Sequence, residues 1–213
     1  MFDRLKKVFA AAPSPAVDGW GQDRGLVFER LPRGDRLAWT GLVDGRAFRM
    51  ESSPPSRDYI PQYELRLRVA LGIPEDVSVM VLNRPLKQQL EARAYDSFTD
   101  TVKTTADLKQ TEELRWLSMF GEVGWSSLAP DFWMRYAVLS DSREQAQKWL
   151  DAPLVAALMK LPLGPDGGQW PMLMSLTRGS LYLRTGHSRS EVSFLDYFHD
   201  LARTAAKSAQ SLA

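Results

Sequence analysis

The 213-residue chain has no cysteine and only two histidines, His187 and His199. Without thiols there can be no disulfide staple, no thiolate-bound metal and no cysteine nucleophile. Imidazole chemistry near neutral pH is confined to two positions. Long apolar runs are also missing. Pro153 to Leu163 is among the longest, at about ten residues, and Lys160 interrupts it, whereas a spanning helix needs roughly twenty. Charge of one sign is not in excess either, since 27 Lys and Arg stand against 26 Asp and Glu, a net charge of +1. Such a balance provides no global field to gather phosphate and disfavours a nucleic-acid partner. The chain carries neither G-x-x-x-x-G-K-[ST] nor G-x-S-x-G, so P-loop and nucleophile-elbow mechanisms have no foothold, and no cofactor is expected.

With 44% hydrophobic and 25% charged residues, the chain can bury a core of its own. The start, MFDRLKKVFAAAPSP, superficially resembles a secretion signal, but Arg4, Lys6 and Lys7 break any apolar stretch. The expectation is a mature chain that begins at Met1 and stays in the cytoplasm. Residues 2–11 form an amphipathic helix candidate with Phe2, Leu5, Val8 and Phe9 on one side. Its small apolar area favours docking on the protein over peripheral membrane contact. Residues 12–25, rich in Pro and Gly, read as a linker, so the organisation is 1–25 as helix and linker and 26–213 as the globular domain.

Within that domain Leu26 to Leu31 reads as a strand. Asp44-Gly45 is a hairpin signal between Arg36–Val43 and Arg46–Ser52. A two-residue loop sets Trp39 opposite Met50 and Gly41 opposite Phe48. It collects Leu37, Trp39, Phe48 and Met50 on one face and Arg36, Thr40, Arg49 and Glu51 on the other. Tyr63 to Leu71 alternates as a half-buried strand, and Val77 to Leu82, apolar on both faces, reads as a central one. Helices are expected at about 85–98 and 105–121. Phe132 to Leu139 reads as a strand, and a helix from Asp141 or Ser142 to about Lys160 is interrupted near Pro153. A second hairpin turns at Arg178-Gly179, with Leu176 opposite Leu181 and Met174 opposite Leu183, leaving Ser175, Tyr182 and Arg184 on the far face. Ser188 to Glu191 fits a capping box for a final helix with a stripe through Val192, Leu195, Phe198, Ala202, Ala205, Ala209 and Leu212. The fold class is therefore α+β: largely antiparallel sheet from two hairpins plus further strands, with about four helices on one side. One sheet, or two subdomains of about 26–125 and 126–213, both satisfy the strand grouping.

The basic residues from Arg24 to Arg68 are all arginine, and no lysine occurs between Val8 and Leu86. Guanidinium groups match carboxylate or phosphate through two parallel hydrogen bonds, so Arg49, Arg66 and Arg68 are candidate anion ligands. Interleaved acids such as Glu51 and Glu64 offer the competing reading of a self-paired, solvated face. His199, with Asp196 three residues before it on the final helix, is the candidate base to join those arginines, against an ordinary surface pair. His187, beside Gly186, reads as an exposed turn residue. Asp96 with Asp100, and Glu112 with Glu113, are neighbouring carboxylates expected to be solvated. Gly19 to Gly25 has glycines in a dinucleotide-like spacing but precedes a strand, which makes them turn residues. Trp20, Trp125 and Trp170 lie in or beside Gly- or Pro-rich segments, as loop anchors or as a partner surface.

From Phe132 to Leu183 the chain runs FWMRYAVLSDSREQAQKWL, then the LVAALMKL helix, then a hairpin reaching SLTRGSLYLR. This order resembles the distal part of an uncharacterised bacterial family of unknown function. The resemblance implies no activity or site, and it favours a bacterial accessory protein. The functional expectation is a non-catalytic interaction or accessory protein that binds a macromolecular partner or self-associates. The alternative is a small-anion-binding enzyme or sensor using the sheet arginines with His199, and no metal site is expected.

Overall fold

The computed structural model describes residues 15–32, 35–99, 111–164, 167–188 and 191–213. The expected helix over 2–11, the start of the expected helix at 105, the middle of the capping box and Asp100 lie outside the described residues. Eight strands, β1 (Val27–Leu31), β2 (Arg36–Val43), β3 (Arg46–Ser53), β4 (Tyr63–Ala70), β5 (Val79–Asn83), β6 (Tyr136–Ser140), β7 (Met172–Thr177) and β8 (Ser180–His187), form one antiparallel sheet. Their order is β1-β2-β3-β4-β8-β7-β5-β6. Strands from both halves of the chain therefore share a single sheet.

Both hairpins take the register that their apolar residues demand. Trp39 faces Met50, Gly41 faces Phe48, Leu176 faces Leu181 and Met174 faces Leu183. The turn pairs Asp44-Gly45 and Arg178-Gly179 both have positive φ, the backbone that matches the right-handed twist of the flanking strands. The long-range joint is β4 to β8, running from Tyr63 opposite His187 to Ala70 opposite Ser180.

Helices cover the sheet unequally, and strand composition explains why. One face is apolar along most of its width and packs on α7 (Val192–Ser208), α5 (Arg143–Trp149) and α6 (Ala152–Leu158). Polar anchors fix these helices: Trp149 Nε1 donates to the Ala205 carbonyl at 3.0 Å, and the Tyr136 hydroxyl donates to that of Leu158 at 2.6 Å. On the opposite face the buried apolar cluster of the sheet comes from β5, β6 and β7, through Met80, Leu82, Ala137, Leu139 and Leu173. There α2 (Arg84–Thr99) and α3 (Glu112–Met119) pack through Leu86, Leu90 and Trp116. Strands apolar on both faces need cover on both. The α+β class thus stands, but the described residues hold seven α-helices rather than about four, and they lie on both sides of the sheet. α1 (Pro15–Gly19) begins a strap over the first strands, and Gly25 with φ +65° ends the 3₁₀ turn that follows it.

Local expectations also shift. Pro130 at the first position, with its φ preset, starts a short helix α4 (Pro130–Arg135), so the expected strand from Phe132 begins only at Tyr136. The expected helix to Lys160 divides at Asp151, whose Oδ1 accepts from the Leu154 N–H at 3.0 Å and caps α6, two residues ahead of Pro153.

Gly186 sits where no side chain fits, because a Cβ there would lie 2.7 Å from Cε3 of Trp170, a ring held on both sides in the core. Gly186→Ala is expected to lower stability by about 1–3 kcal/mol, the usual cost of overpacking. The urea midpoint should fall with an unchanged m value.

Candidate functional site

The polar face of β2, β3, β4 and β8 borders α3 across a groove of about 520 Å³. Two cross-strand rows form its floor. The first runs Arg49, Arg68, Tyr182, Ser175 and Met80 from β3 to β5. The second runs Glu51, Arg66, Arg184 and Leu173 from β3 to β7 and continues beneath α2 as the buried Leu82 of β5. Both pass from charged residues on β3 and β4 to apolar ones beneath α2 and α3. Arg36 on β2 and Glu112 and Glu113 in the first turn of α3 complete the ionic lining.

Most of these charges are paired. Glu51 receives Arg49 at 2.5 Å, Arg66 at 2.7 Å and Arg36 at 3.7 Å. Partial burial pushes the Glu51 carboxyl up, but its hydrogen bond with Arg49 and the charges of Arg66, Arg49 and Arg36 hold it below the ordinary carboxylate value. At the α3 wall, Glu113 is 3% exposed and Glu64 fully buried. Arg184 joins them, with Nε 2.9 Å from Glu64 and a further close contact to Glu113. Arg57 at 3.2 Å and the Tyr59 hydroxyl at 3.0 Å also reach Glu113, and the Ser56 N–H donates to Glu64 at 2.5 Å. Burial opposes the charge on Glu113, yet Arg184, the residue's own backbone N–H, Arg57 and Tyr59 hold its carboxyl below the ordinary value. Burial and the neighbouring Glu113 charge push the Tyr59 phenol up, so it stays a neutral donor.

Arg68 differs. Among the described residues it makes no ion pair; its guanidinium lies 5.5 Å from the Tyr182 ring centroid and makes a long 3.4 Å contact with Ser180 Oγ. It stands directly opposite Arg49, and like charges in that position destabilise a sheet. Across the whole lining, five guanidinium groups face three carboxylates, a local excess of two positive charges.

The structure thus brings Arg49, Arg66 and Arg68 together and leaves His199 out. His199 lies on α7, on the other face of the sheet, edge-on between Trp20 and Phe48 at 5.8 and 5.6 Å. Burial lowers its pKa below the ordinary histidine value, opposed by Asp200 at 3.5 Å. Asp196 does not orient it, because that carboxylate accepts from Trp20 Nε1 at 2.7 Å and Arg24 at 2.5 Å. His187 is not an exposed turn residue. β8 runs on to it, and the alternation through Leu181, Leu183 and Thr185 places it on the core face, 2% exposed, with Nε2 2.9 Å from Ser52 Oγ. Trp20, Trp125 and Trp170 are buried to 7% exposure or less: Trp20 against Trp39, Trp125 edge-on to Trp133, and Trp170 against Gly186 and Phe194. In those positions they act as loop anchors and do not form an exposed partner surface. Glu113 likewise departs from the expected solvated pair. Arg57, Tyr59, Tyr182 and Arg184 join the site unforeseen. The hairpin alternation puts Tyr182 and Arg184 on its polar face, but no local pattern predicts the pairing of β8 with β4.

Among the described residues no group of three or more His, Asp or Glu side chains is placed to hold a metal ion, and no helix is long and apolar enough to cross a membrane. No protein-family model and no curated protein matches the chain. Among solved structures, the mycobacterial trehalose monomycolate transport factor A is similar in fold, with a TM-score of 0.54 at 12% identity, over 94% of this chain and 98% of that one.

Replacing Glu113 by Gln strands Arg184 beside Glu64 alone. The expected loss is about 3 kcal/mol, at the low end for a broken buried pair because one carboxylate remains. A carboxyl held below its unfolded value contributes stability above that value, near 4.5, and loses it as pH falls through the folded one. Urea midpoints measured from pH 7 to 3 should therefore fall less steeply below about pH 5 in Glu113→Gln than in the parent.

Proposed function

We propose that this protein is a non-catalytic binding or accessory protein of the cytoplasm, and that the arginine groove holds an anionic group of its ligand or partner. The observation that carries this reading is Arg68, exposed, without a carboxylate partner among the described residues, and held directly opposite Arg49. Retaining two like charges side by side costs stability, and an anion seated between them would relieve the repulsion while using guanidinium donors that the protein leaves open. The three glutamates limit the excess to two charges, which suits one small anionic group and opposes an extended polyanion.

Binding is favoured over proton-transfer chemistry by where the imidazoles sit. His187 and His199 both belong to the opposite, helix-covered face, so the pairing of sheet arginines with His199 as base has no geometric support. The structural neighbour is described as a transport factor, but at 12% identity the likeness concerns fold alone and the proposal rests on the groove. A protein partner, or a second copy of the chain, would engage this face by presenting a carboxylate or phosphate to Arg49 and Arg68.

The test uses Arg68→Gln. If the residue is kept for binding, removing its charge leaves the free protein as stable or raises stability by about 0.2–1 kcal/mol, the scale of a cross-strand charge pair. The parent should gain thermal stability in phosphate over chloride at matched ionic strength, and the variant should lose that gain. A variant that is destabilised by more than 1 kcal/mol, together with no anion effect in the parent, would show Arg68 to be structural and end the proposal.

A further inference from the structure

The groove's floor changes character along its length, and that gradient narrows what could fill it. In the first row the charged pair Arg49 and Arg68 is followed by the ring of Tyr182, then by Ser175, then by Met80. Strands stand about 4.8 Å apart, so the distance from Arg68 on β4 to Met80 on β5, three strands away, is about 14 Å. Leu173, in the neighbouring row, lines the same apolar end.

Two observations point to an occupant. Arg68, opposite Arg49 and without a carboxylate partner among the described residues, marks one end as a seat for negative charge. Beyond it the lining turns apolar, through the Tyr182 ring and Ser175, which is 5% exposed, to Met80 and Leu173.

We infer that the groove takes an amphiphilic anion: a single carboxylate or phosphate-monoester head between Arg49 and Arg68, with an apolar body lying over Tyr182 and Ser175 toward Met80 and Leu173. The inference rests on the groove being an anion site and goes further by assigning a chain-bearing class of ligand. A bare inorganic anion would use only the arginine end. An uncharged apolar molecule would leave the like-charge pair as it is. A volume of about 520 Å³ is in the range of small-molecule pockets and exceeds what acetate or phosphate needs.

The experiment is isothermal titration of the full chain with octanoate and octyl phosphate, against acetate, inorganic phosphate and 1-octanol. One molecule of either octyl anion should bind per chain, at least tenfold more tightly than the three comparison molecules. The tighter of the two identifies the head. Arg68→Gln should weaken octanoate at least tenfold. Tyr182→Ala, at a half-buried surface ring, should remove most of the advantage of octanoate over acetate while leaving acetate unchanged. Equal binding of acetate, phosphate and the octyl anions overturns the amphiphile and leaves the anion site standing. Octanol binding as well as octanoate, or many octanoates per chain with no response to Arg68→Gln, also overturns it. No binding of any anion removes both readings.

Discussion

The pairing of β4 with β8 is the constraint from which the rest of the site follows. These strands are more than a hundred residues apart in sequence, and their eight-residue register joins the N-terminal hairpin to the C-terminal one as a continuous sheet. The same register brings Arg66 beside Arg184 and Arg68 beside Tyr182 on the polar face. Two arginines opposite each other would be a defect. Here Glu64, one residue before Leu65 and fully buried, takes Arg184, while Glu51 takes Arg66, so the like-charge contact is neutralised from both sides. Glu113 then ties α3 to the same arginine. A one-residue slip of β4 against β8 would turn Leu65, Leu67 and Val69 to the polar face and dismantle this ionic set along with the core.

That compensation is incomplete one row further along, which gives the groove its chemistry. Arg49 reaches back to Glu51 on its own strand, but Arg68 finds only an aromatic face and a distant hydroxyl. A row built for stability alone would place a carboxylate or a neutral residue opposite Arg49. Local agreement with the rules of pairing holds nearly everywhere else in the sheet, so departure from them at one exposed position is where function is reasonably sought.

Much of the fold is legible in the residues because it follows from local periods. Asp44-Gly45 and Arg178-Gly179 fix both hairpins to the residue, and the stripe from Leu195 to Ala209 marks the final helix. Alternation also sorts Arg49, Arg66 and Arg68 onto one face, although each strand was read separately. What is not legible is non-local. No local pattern says that β8 lies beside β4, that β5 inserts between β7 and β6, or that Glu113 turns inward. His199 illustrates the limit well. Its helix and its i−3 aspartate are local features, but the Trp20 strap more than 170 residues away, which packs against the ring and claims Asp196, is not. His187 departs from the expected exposed turn for a simpler reason. The alternation of β8 continues for three residues beyond Arg184 and carries the ring into the core.

The balance of charge over the whole chain, only +1, conceals how strictly it is arranged. The covered face keeps its polar groups neutral or locally satisfied: Asn83 bridges the Trp170 carbonyl and the Met172 N–H, and Ser52 meets His187. Formal charge collects instead on the half of the sheet whose strands have only one apolar face, because a guanidinium can keep its head in water there while its stem lies on the strand. Glutamates woven among those arginines hold the excess down to two, so the field is short in range and falls away within a Debye length of about 8 Å. Such a surface does not draw distant polyanions. On the proposed reading it would discriminate at contact, between a group that can place one anionic head at Arg68 and one that cannot, so selection there would be by fit and desolvation rather than by long-range steering.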